Sequence, residues 1–242
     1  MKTNRLRVFA RPALAACLLL AALPAAAQWT GKGEAGLAIA DGNANTKTAN
    51  ARVTIGRKVE AWEHGLGLAW LYVRNDGITS AKRWESFAKT QYNFGGGRTF
   101  WFGGLRYEQD RFSGFDHQGV VDSGLGHKFV DSEATKLSGR LGVGYKFWET
   151  LDTPRDKDNS IAGTAGLDFS HQFNTSTSVF NKFGAEVTSG NNFLQNEAGL
   201  VVKMSDRIAL ALGYTVRYNS DPPAGFRKTD TLTTVNLVYE VK

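Results

Sequence analysis

The sequence predicts an all-β fold, an antiparallel transmembrane β-barrel of about twelve strands and of the bacterial outer-membrane type. Three observations carry this. Apolar and polar residues alternate with a period of two in segment after segment, the mark of strands with one apolar and one polar face. The segments reach the roughly nine to eleven residues a tilted strand needs to cross a bilayer. An export leader opens the chain, and no later run of about eighteen apolar residues follows it, so no membrane helix is expected.

Residues 135–147, read T-K-L-S-G-R-L-G-V-G-Y-K-F, show the alternation most cleanly. Leu137, Leu141, Val143, Tyr145 and Phe147 share one face, and Lys136, Ser138, Arg140 and Lys146 share the other.

In the leader, Lys2, Arg5, Arg7 and Arg11 precede an apolar core at 14–23, Pro24 and a small-residue cleavage site at Ala25-Ala26-Ala27. This divides the chain into a cleaved signal at 1–27 and a barrel at 28–242. Lipoprotein processing at Cys17 is the lesser alternative, because it leaves almost no apolar segment after Arg11. Cys17 is the only cysteine, so a mature chain starting at Gln28 has no disulfide, thiolate zinc site or cysteine nucleophile. Removing the four leader cations from 29 basic residues leaves 25 against 23 acidic ones. That near balance, mixed along the chain, argues against a nucleic-acid partner.

The first strand places Trp29, Ala35 and Leu37 opposite Lys32 and Glu34, and Asp41-Gly42-Asn43 turns the chain. The second sets Ala49, Val53 and Ile55 against Arg52 and Lys58, and the third sets Leu66, Leu68, Trp70 and Tyr72 outward. A longer loop is expected at 74–80. The fourth strand carries Trp84, Ala88, Tyr92 and Phe94, with Phe87 breaking the pattern on its polar face. After the glycine turn at 95–97, the fifth strand runs from Thr99 to about Phe112, and a glycine-rich sixth is expected over 118–129. The seventh is residues 135–147, and the most polar loop follows at 150–159. Ile161, Leu167 and Phe169 mark the eighth strand, Val179, Phe183 and Val187 the ninth, and Leu194, Leu200 and Val202 the tenth. Ser205-Asp206 is a minimal turn into the eleventh, with Leu210, Leu212, Tyr214 and Tyr218. The loop Asp221-Pro222-Pro223-Ala224-Gly225 cannot lie in a central strand. Val235, Leu237 and Tyr239 mark the last one.

Twelve is even, as single-chain bacterial barrels require, and connections after odd-numbered strands are mostly the longer ones, as expected for the outer side. Aromatic residues gather at both strand ends. Trp29, Tyr92, Trp101 and Phe173 belong to one belt, and Trp70, Trp84, Tyr107 and Tyr145 to the other, as in interfacial girdles. The general preference of aromatics for strands is the competing explanation.

The pattern W-x-G-x-G-E-x-G from Trp29, followed by Ala40-Asp41-Gly42-Asn43-Ala44-Asn45-Thr46, resembles the YdiY-like proteins, a family described as salt-induced outer-membrane proteins. The resemblance covers essentially the whole mature chain, including a closing strand at 232–241. It implies an outer-membrane barrel and an osmotic or salt response, and it brings no substrate and no catalytic residue. The expected partners are outer-membrane lipids and the barrel assembly machinery. Such barrels often end on an aromatic residue that this machinery reads, whereas here Glu240-Val241-Lys242 follow Tyr239.

No catalytic group, metal site or cofactor is expected. His64, His117, His127 and His171 are scattered, no G-x-S-x-G element is present, and Ser123 with His127 is the nearest approach to a hydrolase pair. The lumen is more informative. Arg52, Arg106, Glu108, Asp168, Glu186, Glu197 and Arg217 are inward-facing candidates to line a pore. Lys128, Lys136, Arg140 and Lys146 are candidates for its anion-attracting wall. One reading is a narrow pore for small, anionic solutes, since charged rings set selectivity. The other is a barrel whose facing charges pair and fill the lumen, so that nothing passes. An outer-membrane lipid hydrolase and a soluble barrel for an apolar ligand are lesser alternatives, and the charged inner faces count against the last.

Overall fold

The computed structural model describes residues 28–40, 46–95, 97–151 and 157–241. The leader expected at 1–27, the turn at 41–43 and part of the loop at 150–159 lie outside the described residues. Twelve strands follow one another: β1 (Gln28–Ala40), β2 (Thr46–Val59), β3 (Trp62–Asn75), β4 (Ile78–Asn93), β5 (Thr99–Asp110) and β6 (Phe115–Asp131), then β7 (Thr135–Thr150), β8 (Lys157–Gln172), β9 (Thr177–Val187), β10 (Phe193–Lys203), β11 (Ile208–Asn219) and β12 (Thr229–Val241). Each pairs antiparallel with its sequence neighbours, and β12 returns to β1 to close the barrel.

The alternation read from the sequence becomes an inside and an outside. On β7, Leu141 is 71% exposed and Val143 is 68% exposed, while Lys146 on the opposite face is fully buried. In a protein surrounded by water this would be inverted. Exposed apolar side chains run round the wall, from Leu37 and Leu68 through Leu125 and Ile161 to Leu212 and Leu237. So large a continuous apolar belt fits a lipid exterior.

Closure also explains the exceptions. Phe87 lies on the inner face because Gly67 sits opposite it on β3, leaving its ring room against the wall. The loop expected at 74–80 is instead a two-residue hairpin. Asp76 and Gly77 have φ of 47° and 81°, which suits the tight Asp-Gly turn between long strands. The sixth strand is longer than expected and bulged, with register shifts between Phe115 and His117 and between Lys128 and Val130. The difference between long and short connections is correspondingly smaller, although the longest described ones, at 188–192 and 220–228, do share one end of the barrel.

The aromatic belts form contacts. At the short-turn end Trp62 packs on Tyr92 at 4.9 Å, and Tyr92 meets Phe94 at 5.6 Å. At the other end Trp84 packs on Tyr107 at 5.2 Å, and Trp70 stacks on Tyr72 at 6.2 Å. Trp62 opens β3 and belongs to the short-turn belt.

Candidate functional site

The inner faces of β5, β9, β10 and β11 meet in the long-loop half of the lumen. Glu108 is completely buried; it accepts hydrogen bonds from Arg217 Nη2 and, at 3.0 Å, from Gln118 Nε2. Arg217 Nη1 also donates to Asp110 Oδ2 at 3.3 Å, and its Nε donates to Gln195 Oε1 at 3.2 Å. β5 and β11 are six places apart in a ring of twelve, so this group ties opposite walls together. Arg106 makes a two-pronged pair from β5 to Glu186 on β9, with both hydrogen bonds at 2.9 Å. Lys146 reaches the same carboxylate at 3.4 Å and donates to the Asn191 carbonyl at 3.0 Å.

Phe193, 3% exposed, is the centre of this lattice. The Arg106 guanidinium lies 4.5 Å from its ring centre, that of Arg217 lies 5.0 Å away, and Lys146 Nζ lies 5.6 Å away. Three cations on one ring face the negative quadrupole of its π-system, an attraction that strengthens as water is excluded. The carboxylates Glu108, Asp110 and Glu186 complete the balance of charge.

A cavity of about 360 Å³ lies in the lumen beside this lattice. Its lining includes the cations Arg52, Lys89, Arg106, Arg140 and Lys182, and the acids Glu85, Asp122, Asp168, Glu186 and Glu197. Arg52 Nη1 donates to both Glu197 oxygens, at 3.0 and 3.1 Å, from β2 to β10. Arg140 Nη1 donates to Asp168 Oδ2 at 2.7 Å. Packing loosens toward the short-turn end. Glu108 and Lys146 are 0% exposed as side chains and Glu186 10%, whereas Arg140 and Asp168 are 39% and 44% exposed.

All eleven expected lumen residues stand on the inner face. Arg52, Arg106, Glu108, Lys146, Glu186, Glu197 and Arg217 take part in bonds across the lumen. Arg140 and Asp168 pair on neighbouring strands. The four lysine and arginine candidates for an anion-attracting wall are engaged to different degrees. Lys128 lies 3.9 Å from Glu63, Arg140 is held by Asp168, Lys146 is buried in the lattice, and Lys136 is exposed at the start of β7.

Phe193, Gln118 and Asn191 were not singled out from the sequence. Phe193 gave one signal, an aromatic residue on the face that Gln195 and Glu197 mark as polar. Ser123 and His127 are engaged apart from each other. Ser123 Oγ accepts from Trp101 Nε1 at 2.9 Å and donates to the Phe102 carbonyl at 3.0 Å, while His127 Nδ1 lies 3.1 Å from Thr99 Oγ1.

Known proteins match this architecture. The NanC porin has a TM-score of 0.55 at 9% identity, covering 88% of this chain and all of that one. An outer membrane channel from Pseudomonas putida F1 has a TM-score of 0.53 at 11% identity, covering 91% of this chain and 97% of that one. At these identities the likeness shows the fold, an outer-membrane-type barrel. In sequence, the chain is 26% identical over 231 residues to the uncharacterized protein YdiY of Escherichia coli, covering 90% of this chain and 86% of that one. The profile of one family matches residues 33–241, nearly the entire described barrel, and the chain therefore belongs to the family described as "Protein of unknown function, DUF481".

Proposed function

We propose that this protein is an integral outer-membrane barrel, exported by its leader, that performs no chemistry and forms a narrow pore for small solutes. In the described conformation the pore is shut in its long-loop half. One observation carries the closed state: Glu108, Lys146, Glu186 and Arg217, each less than 10% exposed, are bonded across the lumen around Phe193. A buried ion pair is hard to part, because an uncompensated charge is left behind. Conduction therefore requires the lattice to rearrange. The 360 Å³ cavity is the chamber a solute occupies, and it lies at the low end of ligand-pocket sizes.

Selectivity follows from the lining. The chamber's five cations and five acids cancel, so discrimination there is weak. On the inner face near the short-turn mouth, Lys58, Lys128, Lys136 and Lys203 stand against Glu63, Asp131 and Glu240, a small cationic excess that favours small anions at that entrance. The family resemblance adds a role under osmotic or salt stress, tested by transcript level in raised salt.

Planar-bilayer conductance of the refolded protein tests the reading. The native barrel is expected to be silent for most of the time, with rare small steps. The paired replacement Glu108→Gln with Arg217→Gln removes the charge at the lattice centre and is expected to give sustained, weakly anion-selective conductance. Large, steady native steps would overturn the closed state. A paired variant that folds, shifts on heating in a gel and stays silent establishes the second reading, a non-conducting envelope barrel. The same interlocked lattice is what favours that reading.

A further inference from the structure

At the long-loop rim, outside the lumen lattice, β6 and β7 bring three metal-ligating side chains together. His117 is paired with Glu149 across the ladder, and a register shift lies between Phe115 and His117. Successive side chains on a regular strand point to opposite faces, whereas a bulge re-aims one of them. Here it lets Asp116 and His117, neighbours in sequence, converge on the same carboxylate. His117 Nδ1 lies 3.7 Å from Asp116 Oδ2 and 3.8 Å from Glu149 Oε2. One donor atom from each of the three lies within 4.8 Å of the others. The imidazole is held in place by Tyr107, stacked on it at 5.9 Å, and by Phe147 at 6.5 Å.

We propose that Asp116, His117 and Glu149 form a binding site for a divalent transition-metal ion, zinc in the first instance. One imidazole nitrogen and two carboxylate oxygens are a donor set that zinc accepts. Bonds of about 2.0–2.2 Å place neighbouring donors of a tetrahedral zinc roughly 3.3 Å apart. The two histidine–carboxylate distances need to close by about half an ångström and the carboxylate pair by at most about 1.5 Å, and the fourth position is left to water.

Among the described residues, Arg111 and Lys157 compete for the carboxylates, and their exposure bears on the competition. Arg111 Nε donates to Asp116 Oδ1 at 2.9 Å, and Lys157 Nζ lies 3.1 Å from Glu149 Oε2. The Arg111 side chain is 60% exposed and that of Lys157 is 74% exposed, against 13% and 6% for the acids they hold. Exposed ion pairs contribute little stability, so both cations can swing into water as the metal enters. The acids stay where the barrel holds them.

The test is titration calorimetry of the refolded full barrel in detergent with zinc chloride, with calcium and magnesium chlorides as controls. One zinc per chain is expected, bound at least tenfold more weakly by His117→Ala and by Glu149→Gln. Replacing Arg111 and Lys157 together with alanine removes these two competitors and is expected to tighten binding severalfold, a gain that a merely structural ion-pair cluster would not give. Histidine acylation of the native protein, read by mass spectrometry, supplies a measure that does not depend on the folding of any variant. Zinc should protect His117 while leaving His64, His127 and His171 reactive. A flat titration, binding that survives His117→Ala in a folded barrel, equal binding of calcium, or no protection of His117 would each overturn the site.

Discussion

Arg217 donates to Glu108, Asp110 and Gln195 and is 4% exposed, so its loss takes the nearest cation from two acids in the sealed half of the lumen, whose remaining partners Arg106 and Arg83 stand 3.6 and 4.0 Å away. Breaking a buried pair by removing one partner costs about 3–5 kcal/mol. Arg217→Met should therefore lower the unfolding free energy in detergent micelles by about that amount, measured by urea titration. Arg140→Met is the control. Its pair with Asp168 is 39% and 44% exposed, and a pair so wetted is worth about 1 kcal/mol or less. Equal losses would mean that the lattice is no more sealed than the lower lumen. The inward direction of Arg217 is legible in the sequence, because Val216 and Tyr218 flank it in a period of two. Its partner is not legible. Ladder register fixes only what lies on the neighbouring strand, whereas Glu108 comes from the opposite wall and meets Arg217 only when the barrel closes.

At the scale of strands, the two neighbours of β1 are tied to each other by a side-chain bond that passes over it. Asn50 Nδ2 on β2 donates to Asn236 Oδ1 on β12 at 2.8 Å, across Gly36. A Cβ at Gly36 would lie 2.3 Å from Asn236 Oδ1, 2.6 Å from Asn50 Oδ1 and 2.8 Å from the Val235 carbonyl. The side chains could turn aside, but the backbone oxygen could not. Gly36→Ala is thus expected to break the bond and leave partly buried amides unsatisfied, a loss of about 1–3 kcal/mol. The gel-shift temperature of the variant checks this, and Asn50→Ala in the same background should add little, since the bond is already gone. Most strands are legible because each spans several periods of two in Leu, Val and Tyr against Lys, Arg and Glu. The errors fall where a neighbour overrides the local pattern. The bulge before His117, set against β7, extends β6 beyond its alternating part, whereas Phe87 goes inward against Gly67 as its place on the polar face leads one to expect. The rim cluster was hidden for the same reason: Glu149 is distant in sequence from Asp116 and His117, and only the β6–β7 register brings them together.

For the whole barrel, the order of strands makes one junction unlike the rest. β1 and β12 share five paired positions, Gly31 with Val241 through Ala35 with Leu237, whereas β1 and β2 share thirteen. In lipid, an unpaired backbone amide has no water to bond with, so a barrel must satisfy every ladder, and its shortest ladder costs least to part. Local opening free energies vary across a structure in this way, lowest where fewest bonds hold a segment. Amides of β12 that face β1 should accordingly exchange with deuterium faster than those of β7, whose ladders with β6 and β8 run nearly its full length. Mass spectrometry of the barrel in detergent or nanodiscs reads this directly. A cross-link sharpens it. Gly33 and Tyr239 are register partners, and Gly33→Cys with Tyr239→Cys places two thiols on directly opposed positions, within the reach of a disulfide. The oxidised variant should slow exchange at the junction toward that of β7 and leave β7 itself unchanged. If β12 is already as protected as β7 in the native barrel, the asparagine bridge over Gly36 makes up for the short ladder, and the junction is not where this barrel opens.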